Sequence, residues 1–379
     1  MNIPGAKPYF GGKKKIEEIT QDIKQVLESG ILSLGNYTKK FEKSMASYTN
    51  SKYGLAVSSG GSALELVLQS LDLNGAEVIV PTDTFVATAN AVIRTGGVPI
   101  FADIDQETLC LELDEIKKRI TSKTVGVIYV HMFGLIPPSF SKVRDFCNGN
   151  DLFLVEDAAH AHGAKLNTEL AGNLGTAACF SFYATKILTS GEGGLVTTND
   201  DNIYQTIKSL RNHGRANDSN QYDKISNNFR MSEISCLIGF HQIQILDYIL
   251  KRRREIAFRY CAKLKDLKGL HLLEGFTNNE DCAYWRFPIY LEDNIDRLDL
   301  QCTMMDNHKV RITWMYEPLC HLQPVFEKYV NRVKEFSIAE KCMTKLICLP
   351  CYPDLNDDEI DRICEGLEIE LNKQISQSF

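Results

Sequence analysis

The chain has 379 residues, enough for two domains with sizeable cores, and its balance of 44% hydrophobic to 24% charged residues is that of an ordinary globular protein. A net charge of -7 leaves no basic footprint for nucleic acid, and the longest apolar runs, such as VGVIYV at 125–130, are far too short to cross a bilayer. The opening MNIPGAKPYFGGKKK has no apolar signal core, so the chain reads as cytoplasmic, and its twelve singly scattered cysteines read mostly as small buried hydrophobes.

Residues 16–30, IEEITQDIKQVLESG, carry a helical periodicity that stops at a glycine. From residue 62 strand and helix alternate. SALELVLQSLDL predicts a helix, EVIVP (77–81) a buried strand, TFVATANAVIRTG a helix ended by Gly96, and VPIFADI (98–104) a strand. LDEIKKRI predicts a helix, TVGVIYVH (124–131) a strand, FSKVRDFCNGN a helix and LFLVED (152–157) a strand. ACFSFY (178–183) and GLVTTN (194–199) predict a further pair of strands. Short β-branched runs between helical segments imply an α/β fold, a largely parallel sheet with helices on both faces.

After residue 230 the texture changes. MSEISCLIGFHQIQILDYILKRRREIAFRYCAKLKDL predicts a long helical stretch with room for a break, and its basic run Lys251–Arg254 reads as a solvated face. WRFPIYL (285–291) and VRITWMY (310–316) look like strands, and two helices follow near 332–346 and 356–373. This predicts a large domain over 1–249 and a smaller α+β domain over 250–379. Cys348 and Cys351 form a CxxC, but no second pair stands at zinc-site spacing. Pro350 and Pro353 give the motif an extended context, so it reads as structural.

In a parallel sheet, ligands bind beyond the carboxyl ends of the strands. Ser58-Ser59-Gly60-Gly61-Ser62 leads into a helix, and free N–H groups at a helix start suit a phosphate; a capped, glycine-rich turn is the bland reading. Asp157 ends an apolar strand, so its buried carboxylate needs a partner. Three readings are open: a metal site with His160 and His162, a structural Asp–His hydrogen bond, or a carboxylate paired with a protonated ring nitrogen of a cofactor. Lys186, among Tyr183, Thr185, Ile187 and Leu188, is an ammonium in apolar surroundings, where desolvation favours the neutral, nucleophilic amine. A lysine, a buried aspartate and a phosphate cradle on one sheet are the three anchors that pyridoxal phosphate requires. A metal site uses neither Lys186 nor the cradle.

Over nearly its whole length the chain also resembles the DegT/DnrJ/EryC1/StrS sugar aminotransferases, which have the fold type I architecture of aspartate aminotransferase. GILSLGNYTKKFEKSMASYTNSKYGLAVSSGGSAL, PTDTFVATANAVIRTGGVPIFADID, VEDAAHAHGA, GTAACFSFYATKILTSGEGGLVTTND, LRNHGR, NNFRMSEISCLIGFHQIQILD and ICLPCYPDLNDDEID carry the resemblance in the family's order. It implies a mostly parallel seven-stranded sheet and pyridoxal phosphate as cofactor, with Lys186 its covalent anchor and Asp157 the partner of its ring nitrogen. It puts His160 near the ring hydroxyl, Phe85 on the ring face, and Ser181 with the backbone of Gly60 and Gly61 on the phosphate. Asn228 would reach the phosphate of a neighbouring subunit, making a homodimer with shared sites. The family commonly has threonine where this chain has Gly61, which hands that hydroxyl contact to Ser62. Relatives that dehydrate carry histidine in place of the lysine, so Lys186 favours transamination.

The resemblance therefore implies transfer of an amino group from L-glutamate to a keto sugar, most often a nucleotide-linked keto-deoxyhexose used in cell-surface glycan or amino-sugar synthesis. Tyr183, Tyr316 and His321 are candidate acceptor-binding residues. They suit hydroxyls and phosphate equally, which keeps open a small phosphorylated ketone or free sugar phosphate as acceptor. A regulator that binds pyridoxal phosphate without turnover is the reading from a different class, and intact Lys186 and Asp157 oppose it.

Overall fold

The computed structural model describes residues 2–216, 219–330 and 336–377. Helix α1 (Gly12–Ser29) ends on Gly30 in the left-handed region, φ +67°, at the predicted stop. Helix α2 (Asn36–Thr49) and edge strand β1 (Tyr53–Val57) follow, neither of them visible as a periodicity. The alternating core then runs α3 (Gly60–Ser70), β2 (Glu77–Pro81), α4 (Val86–Arg94), β3 (Val98–Ala102), α5 (Leu113–Arg119), β4 (Thr124–Val130), α6 (Phe140–Gly149) and β5 (Phe153–Asp157). A two-stranded hairpin, β6 (Lys165–Leu166) and β7 (Glu169–Leu170), precedes β8 (Ala177–Ser181), β9 (Gly194–Thr198) and α7 (Asp201–Leu210).

The main sheet has seven strands in the order β1-β9-β8-β5-β4-β2-β3. Strand β9 runs antiparallel to both neighbours, and every other adjacent pair is parallel, the mostly parallel α/β sheet that was expected. Its strands read as unbroken apolar runs because both faces are covered. Successive residues alternate between two cores. Val78, Val80, Ile128 and Val155 pack against α3, α4 and α7, whereas Ile79, Val127, Tyr129 and Leu154 face the larger core that also takes in α5 and α6.

The predicted long helical stretch is two helices, α8 (Glu233–Ile243) and α9 (Leu246–Leu264), broken at Gln244–Ile245. Helix α9 carries the chain across residue 250 toward a second, antiparallel sheet of order β10-β11-β12 (Leu270–Leu272, Phe287–Leu291, Leu346–Leu349). Helices α10 (Arg297–His308), α11 (Ser337–Lys345) and α12 (Asp357–Gln377) accompany it, and residues 332–335 of the predicted penultimate helix fall outside the described residues.

One expectation fails. VRITWMY (310–316) forms no strand: it makes only two isolated bridges, Val310 to Ile3 and Thr313 to Cys348. Its β-branched residues meet the N-terminal segment on one side and one position of β12 on the other. No partner runs along its length, and Tyr316 turns to φ +59°. All twelve cysteines are free; eleven are buried, and Cys302 is exposed.

Candidate active site

The carboxyl ends of β1, β2, β4, β5 and β8 open on one cavity of about 470 Å³. Beyond β1, Ser59 caps α3, its Oγ accepting from the Ser62 N–H at 3.0 Å. A Cβ on Gly60 would stand 2.8 Å from the Cβ of Ser181, so only glycine lets the start of α3 lie this close to the end of β8. Gly61 has more room, with Ala87 Cβ nearest at 3.5 Å. Ser59, Gly60, Gly61 and Ser181 all line the cavity. Ser62 does not: its hydroxyl lies 2.9 Å from both Ser58 Oγ and Ser59 Oγ, turned into the cap.

Asp157, the last residue of β5, is buried. Its Oδ2 accepts from Thr88 Oγ1 at 2.9 Å and its Oδ1 from the Ala159 N–H at 3.2 Å. Burial pushes its carboxyl up, against the pull of these two donors and of Lys186. Among the described residues it forms no ion pair, and Lys186 and His131 favour its charge only at a distance. Lys186 sits in the turn after β8, its N–H donating to Tyr183 O at 2.9 Å. Desolvation is the largest influence on its amine and brings it down to about 7; Arg286 pushes the same way and Asp157 opposes.

His160 is buried with its Nε2 2.9 Å from the Tyr316 hydroxyl, and burial holds the imidazole well below its ordinary range, hence neutral. Its ring lies on the indole of Trp285, centroids 3.8 Å apart and planes 15° from parallel. His162 faces the rings of Phe180 and Phe182 with neither nitrogen hydrogen-bonded among the described residues. It does not join Asp157 and His160: no group of three histidine, cysteine, aspartate or glutamate side chains fit to hold a metal occurs among those residues.

Phe85, at the N-cap of α4, is 59% exposed and lines the mouth, its ring 6.4 Å from that of Tyr316. Tyr183 and Tyr316 line the cavity too. His321 lies outside it, buried between Thr82 Oγ1 and Glu340 Oε1 and stacked on Phe336, so the structure does not bring it together with Tyr183 and Tyr316. Asn228 is exposed and also outside its own chain's cavity. It is not a helix cap, because Ser232 caps α8; its Oδ1 accepts from the Arg230 N–H at 3.1 Å.

Sequence reasoning missed Thr88, Glu192, Met315 and Trp285, all of which line the cavity. Thr88 carried a signal, a hydroxyl on the buried side of the helix in TFVATANAV. Trp285 carried none beyond its rarity.

The residues fit pyridoxal phosphate. A buried carboxylate short of a positive partner, a near-neutral lysine amine and a glycine-opened helix start with a serine beside it all face one cavity. The DegT/DnrJ/EryC1/StrS aminotransferase family matches residues 13–368. The chain is 33% identical to the GDP-perosamine synthase of Escherichia coli O157:H7, over 96% of this chain and 97% of that protein. It is 31% identical to the 3-oxo-glucose-6-phosphate:glutamate aminotransferase of Bacillus subtilis, over 93% of this chain and 80% of that protein. Among solved structures it is similar to NtdA from Bacillus subtilis with bound cofactor PMP: 28% identity, TM-score 0.87, 97% of this chain and 86% of that one.

Proposed function

Because this chain belongs to the DegT/DnrJ/EryC1/StrS aminotransferase family and is a pyridoxal-phosphate-dependent aminotransferase, we propose that it moves an amino group from L-glutamate to a keto sugar, with Lys186 and Asp157 as its catalytic residues. The observation that carries this reading is the meeting of Lys186, Asp157 and the start of α3 on one cavity. The acceptor in this reading is a nucleotide-linked keto-deoxyhexose, supported by the likeness to GDP-perosamine synthase, whose name carries a nucleotide-linked sugar. A free sugar phosphate is the second reading, favoured by the likeness to 3-oxo-glucose-6-phosphate:glutamate aminotransferase, whose name also carries the donor. The free cysteines suit a reducing cytoplasm. The reading divides the chain into a cofactor-holding domain over 1–249 and a smaller domain over 250–379, and makes the working unit a homodimer.

When bound, the cofactor supplies an aldehyde that bonds to amines and a ring that draws electrons from the amino-bearing carbon. Asp157 would hold positive charge on the ring nitrogen of the cofactor. The Lys186 amine, close to neutrality because it is desolvated, would take a proton from the donor's Cα and, over the two half-reactions, deliver one to the acceptor carbon that receives the amino group. Gly60, Gly61 and Ser181 would hold the phosphate of the cofactor at the start of α3. His160, held neutral between Tyr316 and Trp285, would offer the cofactor a hydrogen-bonding group without adding charge. Phe85 would cover the cofactor and keep water from it, and Tyr183 and Tyr316 would orient the acceptor.

The test is 2-oxoglutarate release from glutamate against a panel of keto sugars, nucleotide-linked and simple phosphates. Release with a nucleotide-linked member, abolished in a folded Lys186→Ala variant, is the expected result. Release with simple phosphates alone selects the second reading, and full activity in Lys186→Ala sinks both.

A further inference from the structure

Lys186 Nζ makes no hydrogen bond and no ion pair among the described residues, although Asp157 and Glu192 line the same cavity. Its close partner is a ring: Nζ lies 4.1 Å from the centroid of the Trp285 indole. The same indole donates its Nε1–H to the carbonyl of Thr185, the residue before the lysine, at 2.8 Å. One side chain thus grips both the backbone that carries Lys186 and the tip of its side chain.

Trp285 is built to be immobile. It is 2% exposed and stacked with His160. Its backbone N–H donates to Phe133 O at 2.9 Å, and the preceding Ala283 N–H donates to Gly134 O at 2.9 Å, zipping the residues before β11 to the loop after β4. Phe133 and Tyr284, on either side of this zip, adopt φ +50° and +49°. Bulky aromatic residues rarely take such conformations unless the surroundings force them, and such outliers gather at functional sites. The indole comes from the segment just before β11 of the second sheet and reaches across to the turn after β8 of the first.

The geometry points to Trp285 as the positioning residue of the reactive lysine: its face holds the free Nζ over the cavity, and its N–H locks the turn on which Lys186 is carried. A cation over an indole face is stabilised electrostatically, the more so when desolvated. The other groups whose charge bears on Lys186 are Asp157, which favours the ammonium, and Arg286, which opposes it; the nearby His160 and His162 are held neutral. The inference rests on Lys186 being the reactive lysine, as proposed above.

The test uses the full-length chain freed of cofactor. Trace labelling of lysines with acetic anhydride across pH 5 to 11, read peptide by peptide by mass spectrometry, gives the titration midpoint of Lys186. Wild type, Trp285→Phe and Trp285→Leu are compared, with thermal unfolding as a check on the fold. Loss of the face should make the Lys186 ammonium more acidic, with its acid constant rising about five-fold in Trp285→Leu and about two-fold in Trp285→Phe, which keeps a weaker face. If the leucine variant does not fold, the phenylalanine variant decides. An unchanged midpoint overturns the inference. So does a rise, which would make the indole a wall against water and not a holder of the amine. A wild-type Lys186 that labels like any surface lysine, with a midpoint of about 10.4, would instead strike at the proposed function itself.

Discussion

Glu156 and Asp157 are consecutive carboxylates in β5, and strand alternation sends them to opposite faces of the sheet. Glu156 is fully engaged: it accepts from the N–H groups of Gly172, Leu174 and Gly175 at 3.0, 2.7 and 3.0 Å and meets His131 Nε2 at 2.9 Å. Asp157 has two protein donors and faces the cavity. The two should therefore fail differently. Asp157→Asn is expected to cut amino transfer about a hundred-fold or more while changing stability by less than about 1 kcal/mol. Glu156→Gln should cost about 2–4 kcal/mol by leaving backbone donors unpaired. Measuring turnover and urea unfolding on both variants decides, and the reverse pattern would exchange their roles. A third carboxylate, Asp83, is buried with no hydrogen bond to either oxygen among the described residues, and burial pushes its carboxyl up to about 8. Unfolded, an aspartate titrates near 3.9, so the folded chain keeps this proton longer. Its contribution to stability is full below about pH 4, declines as pH rises, and is gone above about 8. Asp83→Asn should gain on wild type by about 2–5 kcal/mol between pH 4 and pH 8.5. Parallel pH profiles of unfolding free energy for the two proteins would show that the burial is relieved. Lys186 was legible in the sequence because a charge inside an apolar run is conspicuous. The groups that tune the site were not, because Thr88 reaches Asp157 from 69 positions away and Trp285 reaches Thr185 from 100.

The start of α2 shows why some elements escape local reading. Its N-cap, Gly35, has no side chain to offer. The cap comes from Glu233, the first residue of α8. Its carboxylate accepts from the N–H groups of Gly35 at 2.9 Å, of Tyr37, and of Thr38 at 3.1 Å, and from Thr38 Oγ1 at 2.6 Å. A Cβ at position 35 would stand 2.7 Å from Glu233 Oε1, so glycine is what lets the carboxylate in. A buried anion serving the start of another helix satisfies donors and dipole together. Glu233→Ala should cost about 2–4 kcal/mol and Gly35→Ala a smaller amount, read as a fall in the guanidinium midpoint. Equal stability of Glu233→Ala and wild type would mean that water replaces the carboxylate at no loss. Strands β2 to β5 were legible for the opposite reason: each is buried on both faces, so its composition alone announces it. VRITWMY has that composition too, but a strand also needs a partner along its length, and partners are a property of the fold.

At the scale of the whole molecule, the described chain carries surfaces that a monomer leaves uncovered. Leu27, Ile31 and Leu32 are each more than half exposed at the end of α1, and Ile225, in the segment before Asn228, is 95% exposed. Asn228 stands in that segment, outside its own cavity, bridged to Asn212. If it serves a phosphate, the phosphate belongs to another copy. In the proposed homodimer a two-fold axis would repeat any such contact, so each subunit would complete its neighbour's site. Two variants each inactive alone separate the alternatives: Lys186→Ala, and Asn228→Asp, which sets a repelling charge at the phosphate. In a heterodimer of the two, one site carries both lesions and the other neither. Random exchange puts half the dimers in that state, and activity should return to about a quarter of the wild-type level. Native mass spectrometry reports whether exchange has taken place. Exchange without returning activity would mean that Asn228 acts within its own chain or not at all, and the shared site would fall while the chemistry at Lys186 stood.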